Sequence, residues 1–343
     1  MTGLLRRLNT KENYMIKVLL TGVGGFVGSH ILEHILVNTD WHIVGVASWK
    51  HKGSPERVTD SIHYQNNKHR VEIITHDLVS PFTQEVIKRI GHIDYIINIA
   101  SESHVDRSIT DPVSFIKNNV DLTLTMLELA RDIKPKIFIQ FSTDEVYGPA
   151  KDYEEHVEWS PIIPSNPYAA SKAAQEAIAI SYWRTYGVPV VITNTMNVFG
   201  ERQDKEKFIP LVIDRVLKGE KVYIHSYPDK IKASTRFYIH ARNVADGLLN
   251  VMKIEPKLYP ESDRPDRYNI VGEKEVDNLS LAKFIAEQVG KPLIYEMVDF
   301  HSSRPGHDTR YALSGEKLKK LGWVPRVNLE ESLTKTIEWT LNK

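Results

Sequence analysis

The chain has 343 residues, 41% of them hydrophobic and 26% charged, which suits a globular protein of one large or two smaller lobes and excludes a disordered one. Basic and acidic residues number 44 each, so no overall positive field exists to hold a nucleic-acid backbone, and no apolar run is long enough to span a membrane. The absence of cysteine excludes disulfides, thiolate metal sites and a thiol nucleophile; it fits a reducing compartment, with the cytoplasm as the expected location.

Residues 1–14 are polar, with a Leu4-Leu5-Arg6-Arg7 stretch too short for a signal peptide, and read as a loose extension before Met15. An apolar strand over 16–21 then leads into Thr21-Gly22-Val23-Gly24-Gly25-Phe26-Val27-Gly28 and a helix over 29–37. Further strands are expected at 43–47, 71–75, 95–99, 137–142 and 190–194, with helices over 112–132 and 168–186 among the gaps. Apolar strands alternating with amphipathic helices predict an α/β fold, a doubly wound parallel sheet of Rossmann type covered on both faces. After Asn194 the rhythm breaks, so residues 15–194 are expected to bind a dinucleotide and 195–343 to form mostly a smaller lobe that binds substrate. A strand and helix over 236–252 are expected to return to the first unit.

Glycines at 22, 25 and 28, between a strand and a helix, permit a tight turn and let backbone N–H groups approach a pyrophosphate; a purely structural turn is the bland alternative. An acid at the end of the second strand would bind the adenosine ribose, but that strand runs into Ala47-Ser48-Trp49-Lys50-His51. Ser48, Lys50 and His51 suit a 2′-phosphate that a carboxylate would repel, which tilts the expected cofactor slightly from NAD to NADP. Asp77 and Leu78, after the third strand, are placed to meet the adenine.

Tyr168 and Lys172 lie four residues apart on a helix and therefore on one face, where the ammonium would favour the phenolate. A surface tyrosine beside a lysine is the plain reading; the position after a dinucleotide fingerprint favours a catalytic base. Thr143, Asp144 and Glu145 close an apolar strand at its carboxyl end, where doubly wound sheets form their ligand crevice. A solvated, capped turn would explain them, but a carboxylate pair also suits an elimination, in which one group removes a carbon-bound proton and the other protonates departing water.

With Ala100-Ser101-Glu102-Ser103-His104-Val105-Asp106-Arg107-Ser108, Lys207-Phe208-Ile209-Pro210 and Arg304-Pro305-Gly306-His307-Asp308, these motifs cover nearly the whole chain after Met15. The chain resembles the extended short-chain dehydrogenases and, within them, the dTDP-glucose 4,6-dehydratase family. The resemblance implies that Tyr168, helped by Lys172 and Thr143, takes the C4 hydroxyl proton of a nucleotide-diphosphate hexose as hydride passes to the nicotinamide. Glu145 would then remove the C5 proton, Asp144 would protonate the leaving C6 hydroxyl, and hydride would return to C6. It further implies cofactor contacts from Ala100, Ser101, Asn118 and Val198. Substrate contacts are implied from Ser103, Asn197, Lys207, Phe208, Tyr223 and His307, with Arg236 and Arg304 on the diphosphate; no metal is implied.

Relatives in the family often form homodimers through two helices per subunit. Phe115, Leu122, Met126, Ile178 and Tyr182 on the 112–132 and 168–186 helices are candidates for that interface or for ordinary core. The chain departs from the family pattern at Ala47, after Arg236, in a longer 226–235 segment, at Thr195-Met196 and at Glu273-Lys274. Most of these departures fall near the nucleotide or sugar pocket. The expected substrate is dTDP-glucose, with other nucleotide hexoses open. Two rival readings are a 4-epimerase or decarboxylase of the same superfamily, which would leave Asp144 and Glu145 without a task, and a non-catalytic NADP-binding scaffold.

Overall fold

The structure, a computed structural model, describes residues 15–299, 308 and 310–343. The apolar stretches of the first half form β1 (Lys17–Thr21), β2 (His42–Ala47), β3 (Val71–Thr75), β4 (Tyr95–Asn98), β5 (Ile137–Thr143) and β6 (Val190–Thr195). Six more strands follow: β7 (Asn197–Phe199), β8 (Val222–Ser226), β9 (Thr235–His240), β10 (Asp266–Ile270), β11 (Glu275–Asp277) and β12 (Tyr295–Asp299). The large sheet has seven strands in the order β10-β6-β5-β4-β1-β2-β3, all paired in parallel.

Successive side chains of a strand point to opposite faces. Val18 and Leu20 enter one core with Ile43, Ile97 and Ile139, whereas Leu19 enters a second with Val44, Ile96 and Phe138. Both faces are therefore dry, which is why these strands are continuous apolar runs rather than alternating ones. The Phe26–Asn38 and Ala241–Val251 helices pack on each other over the first core. The Pro112–Ile133 and Pro167–Tyr186 helices cover the second. Of the segment expected to return, only the helix lies over the large sheet; β9 joins β7 and β11 in a three-stranded sheet. Strand β10 was hidden from the sequence reading because Asp266, Arg267 and Asn269 break its apolar pattern, although all three are buried.

A third core holds the Phe208–Lys218, Asn278–Val289 and Leu329–Leu341 helices together, beside the pair β8 and β12. Phe115, Leu122 and Met126, candidates for a subunit interface, are 3%, 5% and 0% exposed within this chain and belong to its own core. Ile178 and Tyr182 are half-buried, and the Tyr182 hydroxyl donates to Glu128 Oε1 at 2.5 Å. No helix among the described residues is long and apolar enough to cross a membrane.

Trp183 fills the second core at 0% exposure, and its Nε1 donates to Lys257 O at 2.8 Å. Trp183→Ala is expected to lower unfolding free energy by about 3–5 kcal/mol in a denaturant titration. A loss below about 1 kcal/mol would mean that the surrounding helices close the void.

Candidate active site

Strand order reverses at β1, which pairs with β2 on one side and β4 on the other, so the loops leaving these strands diverge and open a crevice at their carboxyl ends. A cavity of about 980 Å³ lies there, and every described site candidate lines it. Gly22 takes φ +66°, and a Cβ on it would lie 3.1 Å from Ala100 Cα. A Cβ on Gly28 would lie 2.1 Å from Gly22 O, so only glycine lets the turn fold back so tightly. Gly25 caps the Phe26–Asn38 helix with no side-chain hydrogen bond, which leaves its first N–H groups open to the cavity. Gly22, Gly25, Phe26, Val27 and Gly28 thus fit a dinucleotide pyrophosphate.

Ala47, Ser48, Lys50, His51, Asp77 and Leu78 share the wall beyond β2 and β3. Here the structure adds what spacing could not: Lys50, Lys52, Arg57 and the His51 ring each lie beside a carboxylate. Lys50 Nζ is 2.5 Å from Asp77 Oδ2, and His51 Nε2 is 3.6 Å from Glu102 Oε1. Lys52 pairs with Glu206 at 3.2 Å and Arg57 with Asp204 at 3.1 Å. Ala100, Ser101, Asn118 and Val198 complete this half of the cavity.

The strand β5 runs into a single 3-10 turn, Asp144–Tyr147, which buries Asp144 and half-buries the adjacent Glu145. Thr143 Oγ1 donates to Asp144 Oδ1 at 2.9 Å, while Asp144 Oδ2 is buried with no hydrogen-bond partner among the described residues. Burial and the neighbouring Glu145 push the Asp144 carboxyl up to about 7, which holds it as an acid near neutrality. Burial also raises Glu145, against the hydrogen bond from Asn166 Nδ2 to Glu145 Oε2 at 3.0 Å and the cations Arg236 and Lys207. Like charges cannot both form cheaply in one turn, which opposes ionisation of both carboxyls together.

Across from them stand Tyr168 and Lys172, on the helix that Asn166 caps. Burial and the carboxylates raise the Tyr168 phenol above its usual value, while a hydrogen bond with Thr143 opposes the shift. Lys172 Nζ donates to Phe141 O at 2.6 Å, and burial pushes the ammonium down to about 7, against the attraction of Glu176.

Ser103, Asn197, Lys207, Phe208, Tyr223 and Arg236 line the other end of the cavity. Arg236 is held by bonds to Thr235 O at 2.7 Å and Asp308 O at 2.5 Å, and its guanidinium lies 5.0 Å from the Tyr311 ring centre. Arg304 and His307 lie outside the described residues. Two contacts of Glu145 escaped the sequence reading. Asn166 was legible, since an asparagine before Pro167 and a helical run is a cap signature. Tyr311, whose hydroxyl is 3.5 Å from Glu145 Oε2, stands 166 residues away in the chain and left no local signal.

The model of the GDP-mannose 4,6 dehydratase family matches residues 19–336. The chain belongs to this family. It is 34% identical to dTDP-glucose 4,6-dehydratase 1 of Escherichia coli (strain K12), over 95% of this chain and 93% of that one. It is 32% identical to dTDP-D-glucose 4,6-dehydratase of Bos taurus, over 98% and 92%. Among solved structures, dTDP-glucose 4,6-dehydratase from Streptomyces venezuelae with NAD bound superposes with a TM-score of 0.83 at 30% identity, covering 95% of this chain and 97% of that one. The family's Rossmann sheet is the one described above, and its members' shared chemistry gives the carboxylate pair a context.

Because Asp144 is raised in the fold from 3.8 to about 7, folding favours its protonated form, and this contribution is lost as pH rises through about 7. Asp144→Asn is therefore expected to melt higher than the wild type at about pH 8 and to lose that advantage at about pH 5. An advantage that does not grow with pH would remove the assignment of Asp144 as the buried acid.

Proposed function

We propose that the chain is a nucleotide-sugar 4,6-dehydratase that acts on dTDP-glucose with NAD and gives the 4-keto-6-deoxy sugar. The observation that carries this reading is the adjacent Asp144–Glu145 pair, Asp144 buried and Glu145 half-buried, in the cavity that Tyr168 and the glycine turn also line. Oxidation at C4 alone, as in an epimerase, has no use for two carboxyls; elimination of water between C5 and C6 needs both.

Tyr168 takes the C4 hydroxyl proton, with Thr143 hydrogen-bonded to the phenol and Lys172 behind it on the helix face. The bound NAD would supply the hydride acceptor at C4 and the donor at C6. The 4-keto group acidifies the C5 proton, which Glu145 removes, and Asp144, already an acid near neutrality, protonates the C6 hydroxyl as water departs; Glu145 would then return its proton to C5 as hydride reaches C6. Arg236 and Lys207, with Asn197 beside them, hold the diphosphate; the fork of Arg236 suits paired phosphate oxygens. Arg304 is assigned to the same group on the family resemblance.

The cofactor assignment rests on the matched charges beyond β2. Lys50 and His51 would serve a 2′-phosphate only by leaving Asp77 and Glu102, which favours NAD over the NADP that Ala47 suggested. NAD is expected to bind about tenfold or more tightly than NADP by calorimetry; the opposite ratio would return the assignment to NADP. We also place the protein as a homodimer that joins through the outer side of the Pro112–Ile133 and Pro167–Tyr186 helices, where Val113 and Tyr186 are exposed.

Incubation with a panel of nucleotide hexoses, read by mass spectrometry, should show loss of one water from dTDP-glucose. Glu145→Gln should bind NAD as the wild type does but dehydrate roughly 100-fold or more slowly, since the C5 proton has no base. Wild-type turnover in that variant, or an epimer without water loss, would overturn the mechanism.

A further inference from the structure

Helix geometry stacks Tyr168, Lys172 and Glu176 on one face of the Pro167–Tyr186 helix at four-residue steps: a phenol, an ammonium and a carboxylate in a row. The first two reach the cavity, but Glu176 does not. It is 0% exposed and points instead into the protein behind the site, where it meets the equally buried Arg267 of β10 at 2.7 Å. Asn194 of β6 donates to the other carboxylate oxygen, Glu176 Oε1, at 2.9 Å.

This pair is connected to both halves of the chemistry. Arg267 Nη1 donates to the Tyr147 hydroxyl at 3.1 Å, and Tyr147 is the last residue of the turn that carries Asp144 and Glu145. Asn194 Nδ2 also reaches Thr143 O at 3.0 Å. Trp159 covers the guanidinium, 4.3 Å from its ring centre, and keeps water out. A buried ion pair contributes little net stability over well-packed apolar side chains, so stability alone does not account for it.

We infer that Glu176, held by Arg267 and Asn194, is a positioning residue that sets a carboxylate one helical turn behind Lys172 and locks the Tyr168–Lys172 helix to the Asp144–Glu145 turn. The inference rests on the reading of Tyr168 as the C4 base. Glu176 is the attractive charge that opposes the downward push of burial on Lys172. Without it the ammonium would lose its proton more easily, and the phenolate would form beside a neutral amine. The titratable groups around this cluster include Tyr168 on the same helix, Asp144, Glu145 and Tyr147 on the turn, Asp266, Arg267 and Tyr268 on β10, and Glu158, whose carbonyl accepts from the Tyr147 hydroxyl; Tyr182, Arg184 and Tyr186 follow further along the helix.

The test uses the NAD-loaded protein and titrates the tyrosinate ultraviolet signal of Tyr168, isolated as the difference from Tyr168→Phe, so it needs no turnover. Glu176→Gln should move the midpoint up by about one pH unit or more, with Glu176→Asp restoring most of the shift. The acid limb of kcat on dTDP-glucose should move the same way. Where Glu176→Gln alone strands Arg267 and fails to fold, the double variant Glu176→Gln with Arg267→Met strands neither charge and carries the comparison. An unchanged midpoint, even with a lowered kcat, would make the pair a structural element and overturn the proposal, as would failure of the neutral double variant to fold. A wild-type protein with no component removed by Tyr168→Phe would overturn the reading of Tyr168 as base, and this proposal with it.

Discussion

The parallel pairing of β1 with β2 on one edge and β4 on the other is the constraint on which the rest of the molecule depends. All seven strands point the same way, so their carboxyl ends form one rim, and at β1 the connections part to opposite sides. The glycine turn leaves β1 at that rim, the ribose-side loop leaves β2, the Ala100-Ser101 segment follows β4, and the carboxylate turn leaves β5. Residues scattered over the chain thus meet in one cavity because hydrogen-bonded strands align their ends, whatever the loops contain.

Burial then sorts the chemistry. The same dry environment raises Asp144 and lowers Lys172 toward neutrality, because it disfavours whichever form carries charge. Differences between neighbours come from specific partners. The rise of Glu145 is opposed by Asn166, Arg236 and Lys207, that of Asp144 by the Thr143 hydroxyl, Arg236 and a backbone N–H. The two carboxyls are adjacent in sequence yet receive different roles from groups that arrive on other elements. Behind them, the Glu176–Arg267 pair joins β10, the last strand of the sheet, to the helix of Tyr168. A strand added late in the chain is therefore tied to the helix that carries Tyr168 and Lys172.

Sequence alone determined six of the seven strands of the large sheet, since apolar runs buried on both faces are read directly from composition and spacing. It also determined the glycine turn, the Tyr168–Lys172 spacing and the Thr143-Asp144-Glu145 triplet, because each of these is local: a turn, one helical step, one strand end. Asn166 was equally local and went unread. Tertiary structure decided everything that depends on which distant segments touch. It placed β10 in the large sheet despite its polar residues, put Phe115, Leu122 and Met126 in the chain's own core, and gave Lys50 and His51 carboxylate partners. It also brought Tyr311 to Glu145 and Arg267 to Glu176. The physical reason is the same in each case: periodicity reports which face of an element is buried, but the partner that buries it, and the charge that partner carries, is fixed only when the elements pack.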